Sequence, residues 1–158
     1  MKTWFLILFS ISLCCNAQFY EFEKENYFFI NTGVDLRNAA YRGTVNSRAL
    51  DIVYGMGART GNFQAEAWYE SFTRIKYEAF GMNLNYVFRP ERRLVPMAGL
   101  ELGFIKRPKH IHPSLAFIAQ LDFNFSRFFV FIRGQGKLRT DLEHLTKGSV
   151  YGGIGYKF

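Results

Sequence analysis

The sequence predicts an all-β chain folded as an eight-stranded antiparallel transmembrane β-barrel. Three observations lead there. Eight segments alternate apolar residues with small or polar ones at period two, the spacing of a strand with two different faces. Aromatic residues make up 18% of the chain, yet nothing beyond residue 17 has the roughly 18 consecutive apolar residues a membrane helix needs. The segment 149–158 alternates to its last residue, with Val150, Gly152, Ile154, Tyr156 and Phe158 on one face and Tyr151, Gly153, Gly155 and Lys157 on the other. Such a strand suits a wall between lipid and a lumen.

The segments follow in order. Strand one (27–36) sets Phe28, Ile30, Val34 and Leu36 against Phe29, Asn31, Gly33 and Asp35. Strand two (48–58) sets Leu50, Ile52, Tyr54 and Met56 against Asp51, Val53, Gly55 and Gly57. Strand three (63–72) opposes Phe63, Ala65, Ala67 and Tyr69 to Gln64, Glu66, Trp68 and Glu70. In strand four (77–88), Phe80, Met82, Leu84, Tyr86 and Phe88 oppose Ala79, Gly81, Asn83 and Asn85. Strand five (94–105) has Ala98, Leu100, Leu102 and Phe104 against Gly99, Glu101 and Gly103. Strand six (114–125) runs Leu115 to Phe125 on odd positions against Ala116, Ile118, Gln120, Asp122 and Asn124. Strand seven (128–138) opposes Val130 and Ile132 to Arg133, Gln135 and Lys137, and strand eight is 149–158. Each is near the length of a tilted membrane strand.

The start of the chain reads as a cleavable leader, residues 1–17. Lys2 supplies a positive start, 4–15 is apolar but too short to span a bilayer as a helix, and Cys15-Asn16-Ala17 places small residues where a signal peptidase cuts. Cys14 and Cys15 both fall in the leader, so the mature chain is expected to lack disulfides, cysteine–zinc sites and thiol chemistry. Without Lys2 it carries 19 basic and 13 acidic residues, a formal +6. Residues 18–26, with Glu21, Glu23 and Glu25, read as a short acidic periplasmic lead-in to the barrel domain, 27–158.

Connections two–three (59–62), four–five (89–93) and six–seven (126–127) are short, whereas one–two (37–47), five–six (106–113) and seven–eight (139–147) are longer; three–four (73–76) is short and breaks the parity. Short turns on one side and long loops on the other is the asymmetry of outer-membrane barrels, and it puts both ends of the barrel domain on the periplasmic side. Pro90, Pro108 and Pro113 fall in connections, where a missing N–H costs little. Pro96 falls inside strand five, which is resolved if regular pairing begins only near Met97.

The inner face carries Asp51, Glu66, Glu101 and Asp122 with Arg133 and Lys137 of opposite sign, and Lys157 near the rim. Charges of this kind need partners in a membrane, and an eight-stranded interior is filled by side chains. A charge network that holds a packed polar core closed is therefore expected. A proton or small-ion path through it, a narrow pore, is the alternative.

With these strands and the Tyr156-Lys157-Phe158 ending, the chain resembles the small outer-membrane barrels of Gram-negative bacteria, of the OmpX and OmpA membrane-domain type. The resemblance covers nearly all of the mature chain. It implies a location in the outer membrane, reached through the periplasm, and insertion by the barrel-assembly machinery. That machinery reads the terminal strand, whose Val150, Ile154, Tyr156 and Phe158 then face lipid. The functions of that family are diverse, so the fold does not name the role.

His112-Pro113-Ser114 is similar to the His-x-Ser pair of outer-membrane lipid A deacylases, in which a histidine activates a serine against an acyl ester. No carboxylate follows at a distance suited to orient the histidine, and proline separates the pair. The longer-loop side is basic, and Arg42, Arg74, Lys106, Arg107 and Lys109 are candidates for contact with lipopolysaccharide phosphates. No Gly-rich phosphate loop and no clustered metal ligands occur, so no cofactor, metal or nucleic-acid partner is expected. The expected role is that of a monomeric, non-enzymatic barrel with a structural or surface-interaction function. The alternative is a lipid A-modifying hydrolase using His112 and Ser114.

Overall fold

The computed structural model describes residues 26–36, 51–72, 77–108, 110–140 and 146–158. It contains eight strands: β1 (Tyr27–Asp35), β2 (Ile52–Thr60), β3 (Phe63–Phe72), β4 (Tyr77–Val87), β5 (Leu94–Lys106), β6 (Ile111–Phe125), β7 (Phe128–Arg139) and β8 (Thr146–Lys157). Each pairs antiparallel with the next, and β8 pairs with β1, so the sheet closes on itself with no free edge. The leader and most of the lead-in predicted for 1–26 lie outside the described residues.

The register sets the tilt. Cα partners run Ile30, Met56, Ala67, Met82, Leu102, Leu115, Leu138 and Thr146 around the ring. Thr32 pairs with Ile154, eight residues past Thr146, so Thr146 stands level with position 40 rather than 30. Closure therefore shifts the register by ten residues. With about 3.3 Å per residue and about 4.8 Å between strands, eight strands sheared by ten tilt by about 40°.

Alternation places the two sets of side chains as the sequence predicts. Phe28, Met56, Leu102 and Phe117 point outward and are exposed, while Asn31, Glu66, Glu101 and Asp122 point inward and are buried. On one side the interior is packed by Phe29, Phe129 and Phe131. Their rings fit because the strands behind them carry glycine: a Cβ on Gly155 would collide with the Phe129 ring, and one on Gly153 with that of Phe131.

The end at which β1 starts and β8 finishes is the lower end. There Gly61 turns β2 into β3 with a φ of 56°, which costs glycine nothing, and the Asn62 side chain donates to the Val87 carbonyl. The other lower connections are residues 88–93 and 126–127.

The loop asymmetry is weaker than the sequence suggests. The β5–β6 connection is only residues 107–110, closed by hydrogen bonds exchanged between Arg107 and His110, because Ile111, His112 and Pro113 join the sheet opposite Lys106, Ile105 and Phe104. Arg59 and Thr60 likewise belong to β2, and Thr146 to β8. The longest gap, residues 36–51, lies mostly outside the described residues, as do 48–50 of the predicted second strand.

Both strand prolines occupy ladder ends. Pairing of β5 with β6 begins at Leu94, earlier than expected, but pairing with β4 begins at Met97. The Pro96 carbonyl accepts from Phe88 N–H at 2.9 Å, so its missing donor faces the side where the β4 ladder stops. The Pro113 carbonyl accepts from the Thr140 hydroxyl just beyond the first β6–β7 pair, Ser114 with Arg139. In each case proline removes one bond at the margin and none from the middle of the sheet.

Candidate functional site

Inward parity brings charged side chains from every strand but β4 into the interior, where most of them form three storeys. In the middle storey Arg133 donates to Glu66 at 2.5 Å and to Gln120 at 2.6 Å. Glu66 also accepts from Asn31 and Asn83, at 3.0 and 3.2 Å, and Asn85 donates to Asn83. This carboxylate thus has three donors, enough to replace much of its lost hydration.

The lower storey centres on Arg59, which donates to Asp122 at 2.9 Å and to Gln64 at 2.7 Å. Gln120 also donates to Asp122, at 2.7 Å, linking the two storeys. The cations of Arg59 and Lys157 both lie over the Tyr27 ring, at 5.2 and 4.8 Å from its centre.

In the upper storey Lys137 lies 3.1 Å from Glu101 and 3.5 Å from Glu70, with its ammonium 4.5 Å from the centre of the Trp68 ring. Gln135 donates to Glu101. The hydroxyls of Tyr77 and Tyr151 donate to the two oxygens of Glu70. Asp51 is buried near this end, where its carbonyl accepts from the Asp35 amide.

Of the six residues that inward parity assigns to the charge network, Glu66, Glu101, Asp122, Arg133 and Lys137 are joined by these bonds, and Asp51 lies above them. Two members of equal weight, Arg59 and Glu70, are missing from that assignment. Arg59 follows Asp51, Val53, Gly55 and Gly57 at the same parity, a signal masked by its place beside the turn residues Thr60 and Gly61. Glu70 stands on the inner face of strand three, and only the fold shows that it meets Lys137.

At the upper rim the Lys106 ammonium is held by Glu78 at 3.0 Å, in an exposed pair, and the Arg107 guanidinium lies over the Tyr77 ring. Arg42, Arg74, Lys109 and His144 lie outside the described residues. The rings of His110 and His112 stand 6.1 Å apart. Ser114 is buried, and its hydroxyl has no hydrogen-bond partner, so it is not bonded to His112. Among the described residues no three histidine, aspartate or glutamate side chains are grouped to hold a metal.

This arrangement fills and cross-braces the interior. Arg59, Arg133 and Lys137 are paired with Asp122, Glu66, Glu70 and Glu101, and among the described residues no exposed nucleophile with a positioned base stands beside them. An apolar groove of about 660 Å³ lies on the outer wall instead, bordered by Ile30, Thr32, Tyr54, Met56, Tyr69 and Ile154. No protein-family model matches the chain, and a search of curated proteins returned no match.

Proposed function

We propose that this chain is an integral outer-membrane barrel, not an enzyme, with a structural or surface-interaction role. In this reading its lower end faces the periplasm and its basic upper loops contact lipopolysaccharide phosphates. One observation carries it: the barrel is inside out relative to a water-soluble protein. Apart from the exposed rim pair Lys106–Glu78, the ion pairs among the described residues are sealed in the interior, while Phe28, Leu102 and Phe117 stand about 70% exposed on the outer wall. A contiguous apolar exterior of this extent needs an apolar surrounding.

The distribution of outward aromatics supports the same reading. Phe28, Phe63, Tyr86, Phe125 and Phe128 ring the lower end, and Tyr54, Tyr69, Phe80 and Phe104 form a sparser upper set. From Phe80 on β4 to Phe88 just past its end, eight steps rise roughly 20 Å along the axis at this tilt, near the height of an outer-membrane apolar band. β8, with Val150, Ile154, Tyr156 and Phe158 outward, is then the strand that the assembly machinery would read. A narrow pore and a hydrolase using His112 and Ser114 have no comparable observation behind them.

The test is refolding of residues 18–158 from urea into detergent micelles. A folded band that migrates differently from the boiled chain is expected. A chain that folds and stays monodisperse without detergent would remove the membrane reading. For the loops, replacing Arg42, Arg74 and Lys109 by glutamine should weaken lipopolysaccharide binding several-fold, and unchanged binding would remove that part alone.

A further inference from the structure

Among the described residues the cations of the two rims stand differently. At the upper rim Lys106 is engaged by Glu78 and Arg107 lies over Tyr77. At the lower rim Arg89, Arg92 and Arg127 are exposed and join no ion pair among the described residues. Between them Arg93 is held in place: its Nε donates to the Asn124 carbonyl at 3.2 Å, and its guanidinium carbon lies 5.0 Å from the centres of both the Phe123 and Phe125 rings. Those rings pack edge to face at 4.7 Å. Arg127 follows Phe125 by two residues, and its carbonyl is fixed by the Lys157 amide.

We propose that Arg93 and Arg127, flanking the Phe123–Phe125 pair, bind the phosphate of an anionic glycerophospholipid at the lower rim. With Nε already used, the two terminal nitrogens of Arg93 remain as a fork, the geometry that matches two phosphate oxygens. The aromatic pair marks its height, because outer-membrane barrels carry girdles of aromatic residues at both interfaces. Arg127, two residues past Phe125, adds a second charge at this rim, and Arg89 and Arg92 there outnumber Glu91. This site rests on the membrane reading above and places a lipid contact on the opposite rim from the lipopolysaccharide contacts.

Native mass spectrometry of the micelle-refolded chain, titrated with phosphatidylglycerol and with phosphatidylcholine of the same acyl chains, tests it. Wild type should prefer phosphatidylglycerol by at least about fivefold, the order expected per arginine near an anionic surface. The Arg93→Gln/Arg127→Gln variant should bind the two lipids equally, and Arg127→Gln alone, on an exposed side chain, should lose part of the preference. Lys106→Gln should keep all of it. Equal binding by wild type, or an undiminished preference in both arginine variants, would overturn the site. So would displacement of the lipid by equimolar inorganic phosphate, which would show a site for free phosphate. Preference that emerges only after removal of residues 18–25 would assign the arginines to the chain's own acidic segment and overturn the lipid assignment. Failure of the chain to enter micelles overturns the membrane reading and this site with it; entry without lipid preference overturns this site alone.

Discussion

Arg133 on β7 and Glu66 on β3 meet at 2.5 Å across the full width of the barrel. β3 and β7 are four strands apart in a ring of eight, so the bond spans a diameter. Arg59 on β2 and Asp122 on β6 stand in the same relation, as do Lys137 on β7 and Glu70 on β3. Sheet hydrogen bonds hold the wall together along its circumference, whereas these pairs tie opposite sides of it.

Breaking the central pair should be costly. Glu66→Gln leaves the Arg133 charge buried with its main partner neutralised, and loss of one member of such a pair costs about 3–5 kcal/mol. The double replacement Glu66→Leu/Arg133→Met should be milder, since no charge is then stranded. The urea midpoint of the heat-sensitive gel band measures both. An unchanged midpoint in Glu66→Gln would show that the cross-barrel bond contributes nothing. Lys106→Gln, in the exposed pair with Glu78, should leave the midpoint where it is.

Glycine makes room for the aromatic side of the interior. Gly155→Ala should destabilise by about 1–3 kcal/mol, because its methyl group would overlap a Phe129 ring already packed edge to face on Phe29. Shrinking that ring with Phe129→Leu should restore much of the loss. Gly136→Ala has nothing within 4 Å of the new methyl group and should be neutral or slightly stabilising. Parallel urea titrations separate these cases, and equal effects at 155 and 136 would contradict the packing account.

Ser114→Ala removes a buried hydroxyl that has no partner. Stability should hold or rise slightly, since only an unmet hydrogen-bonding demand is lost. Lipid A from cells producing this variant should have the same mass spectrum as with the wild type. A change in acyl-chain number would revive the hydrolase reading.

A lysine scan of the outer wall distinguishes lipid from water as its surroundings. Leu100→Lys, midway along β5, should cost roughly 2–4 kcal/mol in a bilayer, whereas Ile111→Lys at the upper rim should cost little. In water both changes would be harmless. Refolding yields into vesicles are the measurement, and a flat profile with height would count against the membrane reading.

The strands were legible because their signal is local. Period two is imposed by backbone geometry, so the run from Phe63 to Phe72 declares its two faces without reference to any other part of the chain. Strand ends were less legible. Arg59 and the segment from Ile111 to Pro113 look like loop residues by composition, yet a partner strand is close enough to take their backbone groups into the ladder. The inner charges could be recognised by parity, but nothing local distinguishes the acid that Arg133 meets from the others buried around it.

The sequence by itself determined which way each side chain of a strand points, and therefore that charge goes inward and apolar surface outward. Only the tertiary structure decided who meets whom. Glu66 and Arg133 are 67 residues apart, and their contact depends on how far the register has shifted when β8 returns to β1. That shift belongs to the closed ring as a whole. It sets the strand tilt, and the tilt sets the height at which a residue on one wall faces a residue on the opposite wall.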